Sequence, residues 1–258
     1  MKGFSPIHYN HLGATGLHVS PLALGTVKFG RNTDIKYPAP FDIPSDRELE
    51  KLLELTAELG INLLDTAPAY GTSEARLGKL LKGQRDKWII STKVGEQYVS
   101  GKSIYDYSAA ATRATLENSL RTLNTDYLDI VLVHSTGEDL TIINETDVLA
   151  VLNEYKDKGV IRSFGVSTKT VEGGLAALKS SDLAMVTFNL HDREQLPVLN
   201  RAAETNKGIM VKKALASGHT QDPGQSLRFV LDQPAVSTIV VGTINPDHLR
   251  QNVKAVLT

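Results

Sequence analysis

Eight short β-rich runs recur at about 30 residues apart, helical periodicity fills the intervals between them, and no linker or break in composition interrupts the series. These observations predict an α/β chain whose strands are parallel and covered on both faces. With eight repeats, closure leaves no sheet edge, so the expected architecture is a (β/α)8 TIM barrel with an N-terminal β-hairpin. An open doubly wound sheet is the alternative. The whole chain, 1–258, reads as one barrel domain, with 1–18 as the hairpin: in LGATGLHVS, Gly13 and Gly16 bracket Ala14-Thr15 between short apolar segments. The strand runs cover 19–25, 61–66, 87–92, 127–134, 161–167, 184–189, 208–213 and 237–242. After the first run comes the longest irregular stretch, 28–45, long enough to be a functional loop. Ser45 and Glu48 then have capping-box spacing before Leu49, Leu52 and Leu53. Later helical faces are Leu116, Leu120 and Leu123, then Val148, Leu152 and Tyr155, and finally Leu249, Val253 and Val256 behind an Asn245-Pro246 helix start. Gly60, Gly159 and Gly208 read as helix terminators just before strands.

Composition removes several classes of function. The 28 Lys+Arg against 29 Asp+Glu leave a formal charge of −1, which provides no net positive field for nucleic acid or an anionic membrane. No cysteine is present, so thiol nucleophiles, disulfides and thiolate metal sites are absent, and a reducing, cytoplasmic setting is expected. The seven histidines show no metal-ligand spacing, and no metal is expected. Neither a secretory leader nor a membrane-length apolar run is seen.

In such a barrel, chemistry gathers at the C-terminal ends of the strands. There the second run supplies Asp65 and, a few residues on, Tyr70; the third ends at Lys93 and the fourth at His134. Each has a structural explanation taken alone: a cap, a loop aromatic, a rim lysine, a core histidine. Together they place a carboxylate, a phenol, an ammonium and an imidazole at one mouth. A phenol of pKa about 10 becomes a better proton donor beside a cation, and Lys93 supplies one that Asp65 would keep charged. Neutral His134 would donate a hydrogen bond to a carbonyl oxygen. The set describes protonation of an oxygen as negative charge develops on it, with neither nucleophile nor metal.

The same residues carry a family resemblance. LGATGLHVSPLALGT, LLDTAPAYG, STK, DIVLVH, IRSFGVS, LASG and GTINPDHLRQNVKA, in that order, resemble the aldo-keto reductases from end to end. The resemblance implies carbonyl reduction with a nicotinamide cofactor, NADP with NAD possible, and Asp65, Tyr70, Lys93 and His134 as the catalytic tetrad with Tyr70 as general acid. It also implies Gly25 and Thr26 near the nicotinamide, Ser167 and Thr168 near its carboxamide, and Leu215 and Ser217 beside the pyrophosphate. Gly242, Thr243, Asn245, His248, Gln251 and Asn252 would surround the adenosine, with unpaired N–H groups at the Asn245-Pro246 helix start facing a phosphate. The chain departs from the family at four places. Thr168 and Met185 stand where amides usually hold the carboxamide, Lys212 replaces the ring-stacking aromatic, and no basic residue occupies the usual 2′-phosphate position, leaving His248 and Arg250 nearby.

A small-molecule carbonyl compound is therefore the expected partner. Val27, Phe29, Tyr98, Tyr105 and Tyr107 are candidates for the substrate rim. Two other functions compete: a nicotinamide-nucleotide-binding regulatory module with little turnover, and a Schiff-base lyase using Lys93.

Overall fold

The computed structural model describes residues 7–257 apart from 36 and 38, so the part of the expected hairpin before residue 7 lies outside the described residues. The chain begins with the antiparallel pair β1 (Asn10–His11) and β2 (His18–Val19). Next come β3 (Leu22–Gly25), α1 (Val27–Gly30), α2 (Asp46–Glu58), β4 (Leu63–Asp65), a 3-10 turn at Pro68–Tyr70, α3 (Ser73–Leu80) and β5 (Ile89–Val94). A second hairpin follows, β6 (Glu96–Val99) and β7 (Lys102–Tyr105), with Ser100 and Gly101 both at positive φ in its turn. Then come α4 (Ala109–Leu123), β8 (Leu128–His134), α5 (Asp139–Glu145), α6 (Val148–Asp157), β9 (Ile161–Ser167), α7 (Val171–Ser180) and β10 (Leu183–Thr187). The chain closes with α8 (Leu196–Thr205), β11 (Gly208–Lys212), α9 (Pro223–Leu231), β12 (Val236–Val241) and α10 (Pro246–Leu257).

Strands β3, β4, β5, β8, β9, β10, β11 and β12 form a closed barrel of parallel pairs, so the open-sheet alternative is excluded. Strand alternation sorts the side chains into two cores. Leu64, Val131, Val133, Ile209 and Val211 point outward against helix residues such as Leu49, Leu116, Leu152 and Leu249. Leu63, Ile130, Leu132, Leu183, Met185 and Met210 fill the barrel interior.

The first hairpin stops the barrel's lower end. Leu12, Leu17 and Val19 join the interior cluster, and Asn10 Nδ2 donates to Ser237 O at 2.9 Å. Gly13, at φ +53°, packs so closely that a Cβ there would lie 2.3 Å from Gly208 N. With the bottom filled, the mouth at the strand C-terminal ends is the open one. Continuing the inward parity two residues up from Leu63, Leu132 and Met210 gives Asp65, His134 and Lys212, and Ser91 likewise leads to Lys93. The interior thus turns from apolar to polar in one step at the mouth.

Local signals acted as expected at most termini. The Ser45–Glu48 box forms, with Ser45 Oγ accepting from Glu48 N and Glu48 Oε2 accepting from Ser45 N. Gly60 and Gly159 take left-handed φ of +79° and +72°. Gly208 does not terminate a helix: Asn206, at φ 51°, caps α8, and Gly208 opens β11 where a Cβ would strike the Leu12 side chain at 2.9 Å.

Candidate active site

Asp65 and Lys93 form a fully buried ion pair at the mouth. Lys93 Nζ donates to both carboxylate oxygens of Asp65 at 2.8 Å and to Thr66 O at 2.8 Å, while Ser91 Oγ donates to Asp65 Oδ1 at 3.0 Å. Burial pushes the Lys93 ammonium down, but the charge and hydrogen bonds of Asp65 outweigh it and the net shift is upward. Lys93 is therefore a locked cation.

Tyr70 ends the 3-10 turn that follows β4. Its ring centroid lies 4.9 Å from Lys93 Nζ and 6.5 Å from the His134 ring, edge to face. Two glycines set this turn against α1: a Cβ on Gly30 would lie 2.4 Å from Tyr70 O, and one on Gly71, at φ +61°, would lie 2.2 Å from Gly30 O. Burial raises the Tyr70 phenol above its ordinary value of 10.0; Lys93 pulls it down and Asp65 pushes it back. The expected lowering by Lys93 is thus reversed, because burial dominates and Asp65 offsets the cation that would have caused it. Tyr70 stays a protonated phenol at neutral pH.

His134 ends β8 with its ring in the cavity. Burial lowers its pKa from 6.5, opposed by Glu96 and reinforced by Lys93 and Lys212. Nδ1 lies 2.6 Å from Glu96 Oε2, off the angle of a straight hydrogen bond. Glu96 was not among the residues picked out from the sequence. It opens the β6–β7 hairpin, for which the Ser100-Gly101 turn dipeptide between two short runs was the available sequence signal.

These side chains occupy one end of a cavity of about 650 Å³. The lining continues through Gly25, Thr26, Val27 and Ser167 to Lys212, Leu215 and Ser217, and on to Gly242, Thr243, His248, Gln251 and Asn252. It is rich in cations, with Lys28, Lys169, Lys212 and Lys213 also present against Asp34 and Asp65. Lys28 is held over the ring of Tyr37, with Nζ 3.8 Å from its centroid, and Tyr37 reaches across to Gly242, where a Cβ would lie 2.4 Å from its hydroxyl. Lys213, Ala216 and Ser217 adopt left-handed φ of 58°, 47° and 58° beside the cavity, a cluster of backbone strain typical of ligand loops.

The chain matches the Aldo/keto reductase family over residues 21–225. It belongs to that family. Among solved structures it is similar to a Pseudomonas aeruginosa protein described as a candidate aldo-keto reductase, at 52% identity and TM-score 0.91 over 98% of this chain and 96% of the other. It is also similar to the holo form of an aldo-keto reductase from Bacillus halodurans, at 26% identity and TM-score 0.83 over 97% and 91%. L-galactose dehydrogenase from Arabidopsis thaliana is 25% identical over 97% of this chain and 88% of the relative. The protein is accordingly an oxidoreductase.

Several residues singled out in the sequence of this aldo/keto reductase do not reach the cavity. Thr168 is buried behind Ser167 with its hydroxyl unpartnered, and Asn245 serves as a helix cap. Asn245 Oδ1 accepts from Asp247 N at 2.8 Å and His248 N at 3.2 Å, Asn245 O accepts from Leu249 N, and Pro246 has no N–H. The first turn of α10 therefore keeps no free donor for a phosphate, contrary to expectation. Phe29 is buried in the outer core. Tyr98 donates to Asp34 at 2.5 Å under the stacked Arg31 guanidinium, Tyr107 donates to His134 O at 2.8 Å, and Tyr105 stacks on Tyr107; none of the three tyrosines lines the cavity. Among the described residues no cluster could hold a metal, and no helix is long and apolar enough to cross a membrane.

Proposed function

We propose that this oxidoreductase reduces the carbonyl of an aldehyde or ketone with NADPH or NADH, Tyr70 acting as general acid. The observation that carries the reading is the meeting of a buried Asp65–Lys93 pair, a protonated Tyr70 and His134 at one end of a cavity whose remaining length is cationic. When bound, the dinucleotide supplies the hydride. The donor set suits such a polyanion: Lys28 and Lys213 offer charge, and Ser167, Ser217, Thr243, His248, Gln251 and Asn252 offer polar contacts, with Gly25, Lys212 and Gly242 on the same lining. Thr168 and Asn245 support this lining from behind, Thr168 O accepting from Lys212 Nζ at 2.9 Å and Asn245 Oδ1 from His248 N at 3.2 Å.

Tyr70 gives its proton to the carbonyl oxygen as negative charge develops there. The fixed Lys93 cation stabilises the phenolate left behind, and Asp65 keeps that cation charged and aimed. Because Asp65 holds Lys93 as an ammonium, Lys93 lacks the free amine that Schiff-base chemistry requires.

Loss of NADPH or NADH absorbance on addition of a panel of aldehydes and ketones tests the reading. Turnover is expected with carbonyl compounds of the panel, and none across the panel would overturn it. With Arg250 off the lining and the α10 donors taken, NADPH should be preferred over NADH by less than about a hundredfold, or 2.7 kcal/mol. Fluorescence titration of both cofactors measures that ratio. A larger preference would mean that another cation holds the 2′-phosphate.

A further inference from the structure

We infer that Glu96 is a positioning residue that locks neutral His134 in the Nδ1–H tautomer, so that His134 presents a lone pair from Nε2 and can donate to a carbonyl oxygen only as an imidazolium. The tautomer follows from the Glu96 contact and the relative acidity of its two groups; its kinetic consequence rests on the carbonyl-reduction reading.

Glu96 is buried, and both of its oxygens are engaged: Oε1 accepts from Ser103 Oγ at 2.6 Å, and Oε2 lies 2.6 Å from His134 Nδ1. The hairpin that carries it is seated firmly. Gly95, at φ +95°, lets the backbone press on Tyr107, where a Cβ would fall 2.3 Å from the ring, and Tyr107 Oη in turn holds His134 O. At 2.6 Å a bare Nδ1 lone pair beside the carboxylate oxygen would be repelled, so Nδ1 carries the proton even though the contact is bent away from a straight hydrogen bond. The proton belongs to the nitrogen: a neutral imidazole N–H is far less acidic than a carboxyl, and the contacts with His134 and Ser103 lower Glu96 against the effect of burial. Nδ1 is covered, which leaves the Nε2 edge of the ring for the cavity.

The two forms of His134 then do different work. Neutral, it turns a lone pair toward the carbonyl oxygen and offers it no hydrogen bond. Charged, it donates one to a carbonyl oxygen while Tyr70 transfers the proton. Burial disfavours the charged form, as do Lys93 on β5 and Lys212 on β11; Glu96 on β6 favours it, with Tyr105 on β7 facing Glu96 and Tyr70 facing the ring from the 3-10 turn. The net shift is downward, so His134 sheds its second proton below the ordinary histidine range. Carbonyl reduction should therefore fall about tenfold per pH unit between about pH 7 and 9, while alcohol oxidation should not share that fall.

Long-range proton–nitrogen NMR of the full-length protein labelled at histidine nitrogen tests the lock directly, with a His134→Asn spectrum identifying the signals. At pH 8 the wild type should show the Nδ1–H pattern, and Glu96→Ala should show a substantial Nε2–H population. A wild-type Nε2–H pattern would overturn the inference without recourse to any variant. In kinetics with an aromatic aldehyde and the matching alcohol, Glu96→Ala should flatten the reduction profile to less than about twofold per pH unit, because the neutral ring can then donate from Nε2. Lys212→Met, whatever its absolute rate, should keep the wild-type slope, which separates Lys212 from the effect. An unchanged slope in Glu96→Ala overturns the inference. If no aldehyde is turned over, the functional reading fails, and the NMR pattern still decides the lock by itself.

Discussion

Replacing Asp65 by asparagine keeps the shape of the site and removes one charge from a pair buried almost completely. At 2.8 Å and an effective dielectric constant of about 20, the attraction between Asp65 and Lys93 is about 6 kcal/mol, much of it offset by the desolvation of both groups. The Asp65→Asn variant would leave the Lys93 ammonium buried without a counter-charge, and the expected loss is about 3–5 kcal/mol of stability. At about 2 °C per kcal/mol for a chain of this size, the melting midpoint should fall by about 6–10 °C. The loss should depend on pH in a definite direction. In the wild type Lys93 is raised above 10.5, so its contribution is present below that value and disappears as pH rises through the folded pKa. In the variant burial dominates, Lys93 falls below its ordinary value, and the folded state gains stability as pH rises. The gap between the two proteins should thus be wide at about pH 6.5 and narrower at about pH 9.5, measured by urea unfolding. Adding Lys93→Met, an apolar group of similar volume, should restore at least half of the loss at neutral pH without restoring turnover. A deficit under about 1 kcal/mol, or a double variant as weak as Asp65→Asn, would refute the claim that the pair is a mutually dependent buried unit.

Tyr70→Phe should lower turnover in carbonyl reduction by at least about a hundredfold and leave cofactor affinity within about twofold; near-normal turnover would move the acid role to His134. Gly30→Ala would place a methyl 2.3 Å from Ser73 N and 2.4 Å from Tyr70 O, rigid backbone atoms that cannot yield. About 1–3 kcal/mol of stability and about tenfold in turnover should be lost, read by urea unfolding and steady-state rates, and unchanged turnover would show that α1 does not seat the Tyr70 turn. Burial pushes Lys212 down to about 7 while its ammonium donates to Ser167 Oγ at 2.7 Å and Thr168 O at 2.9 Å. Charged below that pH and neutral above it, Lys212 should oppose the cationic ring of the oxidised cofactor more than the neutral reduced one. Calorimetry should show NADP+ binding tighter at about pH 8 than at about pH 6, with Lys212→Met abolishing the difference; a pH-independent wild type would refute it.

The barrel and its mouth were legible in the sequence for a local reason. Strand periodicity, helix periodicity and the Ser45–Glu48 cap act over a few residues, and a repeating βα unit needs few decisions beyond closure. The placement of Asp65, Lys93 and His134 follows from strand parity alone, since each lies an even number of residues above an inward-facing neighbour. Tyr70 was found by its nearness in sequence to Asp65. What tertiary structure alone decided involves partners brought together by closure. Glu96 meets His134, far along the chain, in a contact no local pattern encodes. The donors of the first turn of α10 were spent by Asn245 on its own helix, and the phenol of Tyr70 moved upward because burial dominates and Asp65 offsets the charge of Lys93. Composition and spacing determined which groups stand at the mouth; burial and the distances among them, which exist only in the closed barrel, determined which of those groups carry charge and which way their protons point.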